Sequence, residues 1–232
     1  MHDPLELFDW NSLHARYDRL CGPIDRYPQH LAALGQAPKC DRKLYYELVH
    51  KLKPGADPPP RRIDVGWWEA ILYWKLYSGR WVGNVRHYVP SEAVDRRAVQ
   101  REIDKLCNAL PAQIDVSWEA TRQVIRAIDG TNLRGMKSNN AYPMRTTFLH
   151  FIYPDVVPIF DVQVLKAVGV HEENANHSIV RLEQYILHVW RLKEKYSAAL
   201  LNLPETRVRA IEMALWVMGH GSDPGRGGSC DN

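Results

Sequence analysis

The apolar residues of this chain repeat at spacings of three and four, which is the pattern of helices that bury one face. In the strongest run the repeating residues are Trp67, Trp68, Ile71, Leu72 and Leu76. Glycines and prolines stand between the runs, and the sequence shows neither the alternation of half-buried strands nor an internal repeat. The pattern therefore predicts an all-α fold.

The same periodicity gives the approximate positions of the helices. They are predicted near residues 5–20, 30–34, 41–52, 67–76, 91–106, 118–128, 142–153, 162–168, 178–200 and 204–218. We expect N-terminal helices in residues 1–60 and a central lobe in residues 61–160, with a hairpin-like segment at 128–153. Residues 161–218 would form the C-terminal helices, and the Gly/Ser-rich segment 219–232 a disordered tail.

An apolar segment that contains two prolines leads to a single carboxylate, Asp161. The stretch from Phe148 to Phe160 has the pattern of a helix end followed by an extended connector, and a new helix starts after Asp161 and stops at Gly169. Asp161 is therefore predicted to be an N-cap, whose side-chain oxygen accepts hydrogen bonds from the first unpaired N–H groups. Those donors and the positive helix end keep such a carboxylate ionised.

The composition excludes several classes of protein. Hydrophobic residues at 45% and charged residues at 25% are ordinary values for a globular protein. No apolar run is long enough to span a membrane and the first residues lack a signal peptide, so we expect a cytoplasmic protein without a membrane partner. The four cysteines are not closely spaced, and we predict no metal site and no cofactor.

Positive charge is concentrated in the middle of the chain. Residues 61–145 carry 14 Lys and Arg against 9 Asp and Glu, although the net charge of the whole chain is only +3. A solvated helical face would explain this, and so would a surface that faces phosphates. A glycine turn between two helices offers backbone N–H groups to a phosphate. The residues expected to contact a DNA backbone are Arg134, Gly135, Lys137, Arg145 and Thr146.

The segment 128–161 resembles the helix-hairpin-helix superfamily of DNA glycosylases. Leu133 and Gly135 match the hairpin of that superfamily, and Arg145-Thr146 fall near its Lys-Thr helix start. Val157-Pro-Ile-Phe-Asp161 matches the connector that ends in its invariant catalytic aspartate. The resemblance implies a two-lobed helical bundle with a cleft, in which the N-terminal helices pack with the C-terminal ones. It also implies double-stranded DNA as the partner, with no obligatory protein partner.

The resemblance further implies a monofunctional glycosylase with Asp161 as its catalytic residue. The second hairpin glycine, the nucleophilic lysine of bifunctional members and the cysteine cluster of iron–sulfur members have no counterpart here. Lys137 is a candidate for a Schiff base, but a loop lysine near a phosphate is the simpler interpretation. Asp161 would face the anomeric carbon of a flipped nucleotide, stabilise the sugar cation and orient a water molecule.

A flipped base needs flat side chains and a few polar groups around it. The residues expected to line its pocket, or to fill the vacated base stack, are Trp67, Trp68, Trp74, Trp81, Asn84, Tyr142 and His150. Among them Trp81 and Asn84 are the candidates for the inserted wedge. The alternative for each aromatic side chain is a place in the hydrophobic core, and for His150 a hydrogen bond to a backbone carbonyl.

Three functions are open from the sequence. The first is a monofunctional DNA glycosylase that leaves an abasic site; the divergent hairpin would suit an uncommon substrate, such as a bulky modified base in phage DNA, and a role in antiviral defence rather than repair. The second is a non-catalytic nucleic-acid-binding protein in which Asp161 is only an N-cap. The third is a helical interaction module, a toxin or a regulator, whose basic middle binds a partner.

Overall fold

The computed structural model describes residues 1, 3–21, 41–52, 63–76, 84–137 and 141–220. Within these ranges the chain forms ten α-helices and no strand, which confirms the predicted all-α class for this part of the chain. The helices are α1 (Leu13–Cys21), α2 (Asp41–Leu52), α3 (Val65–Leu76), α4 (Val85–Tyr88), α5 (Ala93–Ala109), α6 (Trp118–Ala127), α7 (Tyr142–Ile152), α8 (Val162–Ala167), α9 (Ile179–Lys195) and α10 (Arg207–His220). None of these helices is long and apolar enough to cross a membrane.

The helix boundaries differ from the prediction at both ends of the chain. The predicted helix 5–20 is divided, because the Asp9 carboxylate accepts a hydrogen bond from Asn11 N and starts a short 3-10 turn before α1. At the other end α10 continues through His220, so the predicted tail does not begin at residue 219. The predicted helix 30–34 and residues 221–232 lie outside the described residues.

Helices α3 and α10 are buried on nearly all sides. Every residue from Trp67 to Trp74 of α3 and from Val208 to Leu215 of α10 is buried, including charged ones. A charged group in such a position needs an internal partner. In α3 the Glu69 carboxylate accepts a hydrogen bond from Arg96 Nη1 of α5 over 2.7 Å. This bond attaches α5 to the central helix of the core.

One hydrophobic core includes buried residues from Leu5 to Val217. The N-terminal helix α1 lies against α10, where the rings of Tyr17 and Trp216 are 5.1 Å apart between centroids. The N-terminal and C-terminal parts of the described chain therefore pack together.

Helix α8 and helix α10 approach each other very closely at one glycine. Gly219 lies in the last turn of α10, and a Cβ atom added there would overlap the backbone carbonyl of Gln163 in the first turn of α8. A backbone carbonyl cannot move aside as a side chain can. The absence of a side chain at Gly219 therefore sets the distance between α10 and the helix that Asp161 caps.

We expect Gly219→Ala to lower the free energy of unfolding by about 1–3 kcal/mol, because overpacking against backbone forces the two helices apart. Urea denaturation measures the change. Gly66→Ala is the matched control, since its Cβ would meet only the Asp64 carboxylate at 3.2 Å and the substitution favours helix formation. Equal stabilities for the wild type and Gly219→Ala would contradict the close crossing.

Candidate functional site

Asp161 stands at the end of a connector that is buried in the protein. After α7 the chain turns back, and Val157, Ile159 and Phe160 are each exposed by no more than 1%. Irregular backbone inside a protein has N–H and C=O groups that require partners, because an unpaired buried group costs about as much as a lost hydrogen bond. The connector has no neighbouring strand in the described structure, so side chains must supply these partners.

Four side chains from three helices hold the connector. Thr146 Oγ1 accepts from Phe160 N (3.0 Å), Glu212 Oε2 accepts from Ile159 N (3.3 Å), Tyr185 OH donates to Ile159 O (3.1 Å) and His150 Nδ1 donates to Val157 O (2.6 Å). Thr146 and His150 belong to α7, Tyr185 to α9 and Glu212 to α10. The position of Asp161 is therefore determined by contacts from three directions.

His150 is a structural residue of this network. Burial, followed by the charge of Arg209, lowers the pKa of His150 to about 3, so its ring is neutral at physiological pH. The neutral ring donates from Nδ1 to Val157 O and accepts at Nε2 from Tyr45 OH over 2.7 Å. His150 is fully buried, which agrees with the carbonyl-bonded alternative and not with a place in a base pocket.

The Asp161 carboxylate has its two oxygens in different environments. Oδ1 accepts hydrogen bonds from Gln163 N at 2.9 Å and Val164 N at 3.2 Å, which confirms the predicted N-cap. Oδ2 accepts from Lys75 Nζ at 3.1 Å. The side chain retains 20% of its exposure to solvent.

The surroundings of Asp161 keep it ionised. Burial acts to raise its pKa, but the charge and the hydrogen bond of Lys75, together with the two backbone N–H groups, lower the pKa below its ordinary value. A carboxylate with a lowered pKa is negatively charged throughout the neutral range and is a weak proton acceptor. Asp161 is therefore suited to act through its negative charge and not as a base.

Lys75 is the partner that sequence reasoning missed. It lies in the last turn of α3 and is separated from Asp161 by 86 positions in the chain, so no local motif links the two. The available signal was a single lysine at the end of a mostly apolar helix. Such a cation is favoured by the helix C-terminus, and close to buried surface we expect it to pair with an anion from elsewhere in the fold.

A second buried ion pair lies behind the connector. Arg209 Nη1 donates to Glu212 Oε1 over 2.6 Å, and the Arg209 guanidinium lies over the rings of Tyr45 (4.7 Å) and Trp74 (5.1 Å). Burial raises the pKa of Glu212 to about 7, although Arg209 and Lys75 act in the opposite direction. Arg209 and Glu212 were also absent from the sequence prediction, although their spacing of three on an apolar helix indicated a buried pair.

The hairpin-like segment forms a tight turn between α6 and α7. Met136 N donates to Leu133 O over 3.0 Å, and Gly135 between them has a φ of 84°, a conformation that favours glycine. A Cβ on Gly135 would also overlap the ring of Tyr88. Arg134 and Lys137 are exposed on this turn, where a phosphate could reach them.

The structure places Arg145 and Thr146 inside the protein and not at the surface. Arg145 is fully buried; it donates from Nε and Nη2 to Met136 O over 3.1 Å and pairs with Asp129 through Nη1. Thr146 is fully buried and holds Phe160 N. Both residues stabilise the turn and the connector, and this position corrects the expectation that they contact a DNA backbone.

The aromatic residues predicted for a base pocket lie mainly in the core. Trp67, Trp68, Trp74 and Tyr142 are exposed by 6%, 0%, 5% and 8%. This agrees with the core alternative and corrects the expectation that they line an open pocket in this structure. Asn84 is half-buried beside α4, and its side chain makes no capping hydrogen bond. Trp81 lies outside the described residues.

The site consists of an ionised carboxylate, a lysine and a rigid support. No group of three or more His, Cys, Asp or Glu side chains suited to a metal ion occurs in the described part of the chain. Comparisons with protein-family models, with curated proteins and with solved structures find no match to this chain. The arrangement can stabilise a positive charge that develops near Asp161 and can orient a water molecule toward it.

We expect Thr146→Val to lower the free energy of unfolding by about 1–3 kcal/mol, because it leaves the buried Phe160 N–H without an acceptor. Thr147→Val is a matched control. Thr147 is also fully buried, but its hydroxyl donates only to Pro143 O of the same helix in the contacts described. Urea denaturation of the two variants compares them directly, and equal losses of stability would contradict a special role for Thr146 in holding the connector.

Proposed function

We propose that this protein is a monofunctional DNA glycosylase that hydrolyses the N-glycosidic bond of a flipped, damaged or modified nucleotide and leaves an abasic site. The observation that carries the proposal is the Asp161 carboxylate, which is ionised, bound by Lys75 Nζ and two backbone N–H groups, and still 20% exposed. The likeness of segment 128–161 to helix-hairpin-helix DNA glycosylases, with their catalytic aspartate at a helix N-terminus, supports the same assignment.

The chemistry uses Asp161 mainly as a fixed negative charge. The bond between C1′ and the base nitrogen breaks with its electron pair moving to the base, and a positive charge develops on the sugar. Asp161 stabilises this cation and orients a water molecule. The water oxygen bonds to C1′, and its released proton passes to solvent, because the lowered pKa makes Asp161 a weak proton acceptor.

The exposed turn between α6 and α7 would bind the DNA backbone. Arg134 and Lys137 supply two cations and Gly135 permits close approach of the turn, so the phosphate contacts are assigned to these three residues. The DNA would lie in a cleft between two helical lobes, and Trp81 or Asn84 would fill the vacated stack. Double-stranded DNA in the cytoplasm is then the partner.

The divergent hairpin favours an uncommon substrate. The candidate substrate is a bulky modified base, such as those in phage DNA. Excision of such a base would indicate antiviral defence, whereas excision of an ordinary lesion would indicate repair. Both roles require the same bond cleavage, so the substrate panel, and not the site itself, separates them.

A non-catalytic nucleic-acid-binding function is the second candidate. The observation that favours it is that both oxygens of Asp161 already have structural partners, namely two backbone N–H groups and Lys75. In that case Asp161 stabilises α8 and has no chemical role. Binding would depend on salt and would not require the aspartate charge.

The decisive substitution is Asp161→Asn, because asparagine is as good an N-cap as aspartate but carries no charge. We expect wild-type protein to release a base from at least one member of a panel of lesion-containing duplexes and modified phage DNA, with strand breaks only after alkali. Base release by Asp161→Asn should fall at least about 100-fold. Asp161→Ala should lose base release and also about 1 kcal/mol of stability, because the cap is lost.

Asp155→Asn serves as the matched control, since Asp155 is an exposed aspartate just before the connector and should be fully active when neutralised. Strand breaks without alkali would indicate lyase activity and would contradict the monofunctional assignment. DNA binding without base release across the whole panel, unchanged in Asp161→Asn, would support the binding-protein alternative.

A further inference from the structure

The Lys75–Asp161 ion pair joins two helix ends of opposite polarity. Lys75 is in the last turn of α3, where backbone carbonyls leave a partial negative charge, and Asp161 caps the N-terminus of α8, where N–H groups leave a partial positive charge. Each charged side chain is thus favoured by its own helix end and by the other side chain. The two side chains are only 17% and 20% exposed, so solvent screens their attraction less than on an open surface.

We infer that Lys75 is a positioning residue for the proposed glycosylase reaction: its ammonium group fixes the plane of the Asp161 carboxylate and directs it at the sugar. The inference rests on the proposed function and deepens it. Oδ1 is held by Gln163 N and Val164 N, and Oδ2 by Lys75 Nζ at 3.1 Å. With both oxygens held, the carboxylate cannot rotate about its Cβ–Cγ bond without losing hydrogen bonds.

Precise orientation matters because catalytic groups act over short distances. A misplacement of about 1 Å can reduce a rate about 100-fold. Without Lys75 the backbone donors would still hold Oδ1, but Oδ2 would have lost its described partner. The carboxylate would then be free to turn away from the sugar, and its remaining charge would be poorly compensated in a largely buried place.

The ion pair assigns Lys75 this role and not that of a nucleophile. An ammonium group that donates to an ionised carboxylate has no lone pair with which to attack C1′. Schiff-base formation would require the Lys75 nitrogen to leave its hydrogen bond with Asp161 Oδ2 and bond to C1′ instead. Borohydride trapping separates the two roles, because only a nucleophilic Lys75 would become linked to DNA.

Other charged and titratable groups surround the pair. Glu212 of α10 is affected by the charges of both Lys75 and Asp161, and Arg209 compensates Glu212. From α9, Tyr185 is influenced by the Asp161 charge, and from α7 the neutral His150 is influenced by Lys75. Lys75 is the cation in direct contact with Asp161 among the described side chains.

The test compares Lys75→Met, which loses charge and donor, with Lys75→Gln, which keeps a donor, and Lys75→Arg, which keeps both. On the substrate that the wild type cleaves, we expect kcat of Lys75→Met to fall about 100-fold with little change in KM. Lys75→Arg should recover most of the rate, and Lys75→Gln should be intermediate. Lys166→Met, which removes an exposed lysine of α8, should behave as wild type.

The pH dependence gives a second readout. The lowered pKa of Asp161 keeps the carboxylate ionised as the pH falls, so removal of Lys75 should raise that pKa and move the acidic limb of kcat to higher pH. Titration of carboxylate carbon signals by NMR, with Asp161→Asn used to assign the signal, measures the same pKa without any substrate. If Lys75→Met does not fold, Lys75→Gln supplies both comparisons.

Three results would overturn the inference: a Lys75→Met enzyme as fast as wild type or faster, an unchanged Asp161 pKa in the neutral variants, or borohydride trapping of DNA on Lys75. A wild-type protein that releases no base, but whose Asp161 pKa rises when Lys75 is neutralised, would contradict the glycosylase proposal while upholding the coupling of the two residues.

Discussion

The constraint on which the site depends is the burial of an irregular connector that has no strand beside it in the described part of the chain. Backbone N–H and C=O groups cannot remain unpaired in such a place, so the fold supplies them with Thr146, His150, Tyr185 and Glu212. These side chains come from three helices. Their hydrogen bonds fix the position of the connector. Asp161 lies at the end of the connector, so its position is fixed as well.

Two ion pairs lie beside this support. Asp161 is paired with Lys75, and behind the connector Glu212 is paired with Arg209. Buried ion pairs add little to stability on their own, because desolvation offsets their attraction. Their value here is positional: each pair holds a carboxylate at a defined place, one on the buried side of the connector and one on the side that solvent reaches.

The sequence predicts the parts of this site that depend on local chemistry. The N-cap role of Asp161 follows from a carboxylate between an apolar connector and a helix, and the turn at Gly135 follows from a glycine between two helical patterns. Lys75 and Glu212 depend on which helices meet in space, and helical periodicity does not contain that information. For Arg145 the local pattern was misleading. A cation beside a glycine turn can bind a phosphate or a carbonyl of the turn itself, and Arg145 binds the carbonyl of Met136.

The proposed reaction requires the Asp161 carboxylate to stabilise a positive charge on the sugar. The most direct measurement compares the affinity of the protein for two duplexes, one with a cationic pyrrolidine abasic analogue and one with a neutral tetrahydrofuran analogue, placed opposite each base. We expect that wild-type protein prefers the cationic duplex by at least about tenfold and that Asp161→Asn loses the preference. Equal affinity of the wild type for the two duplexes would contradict it.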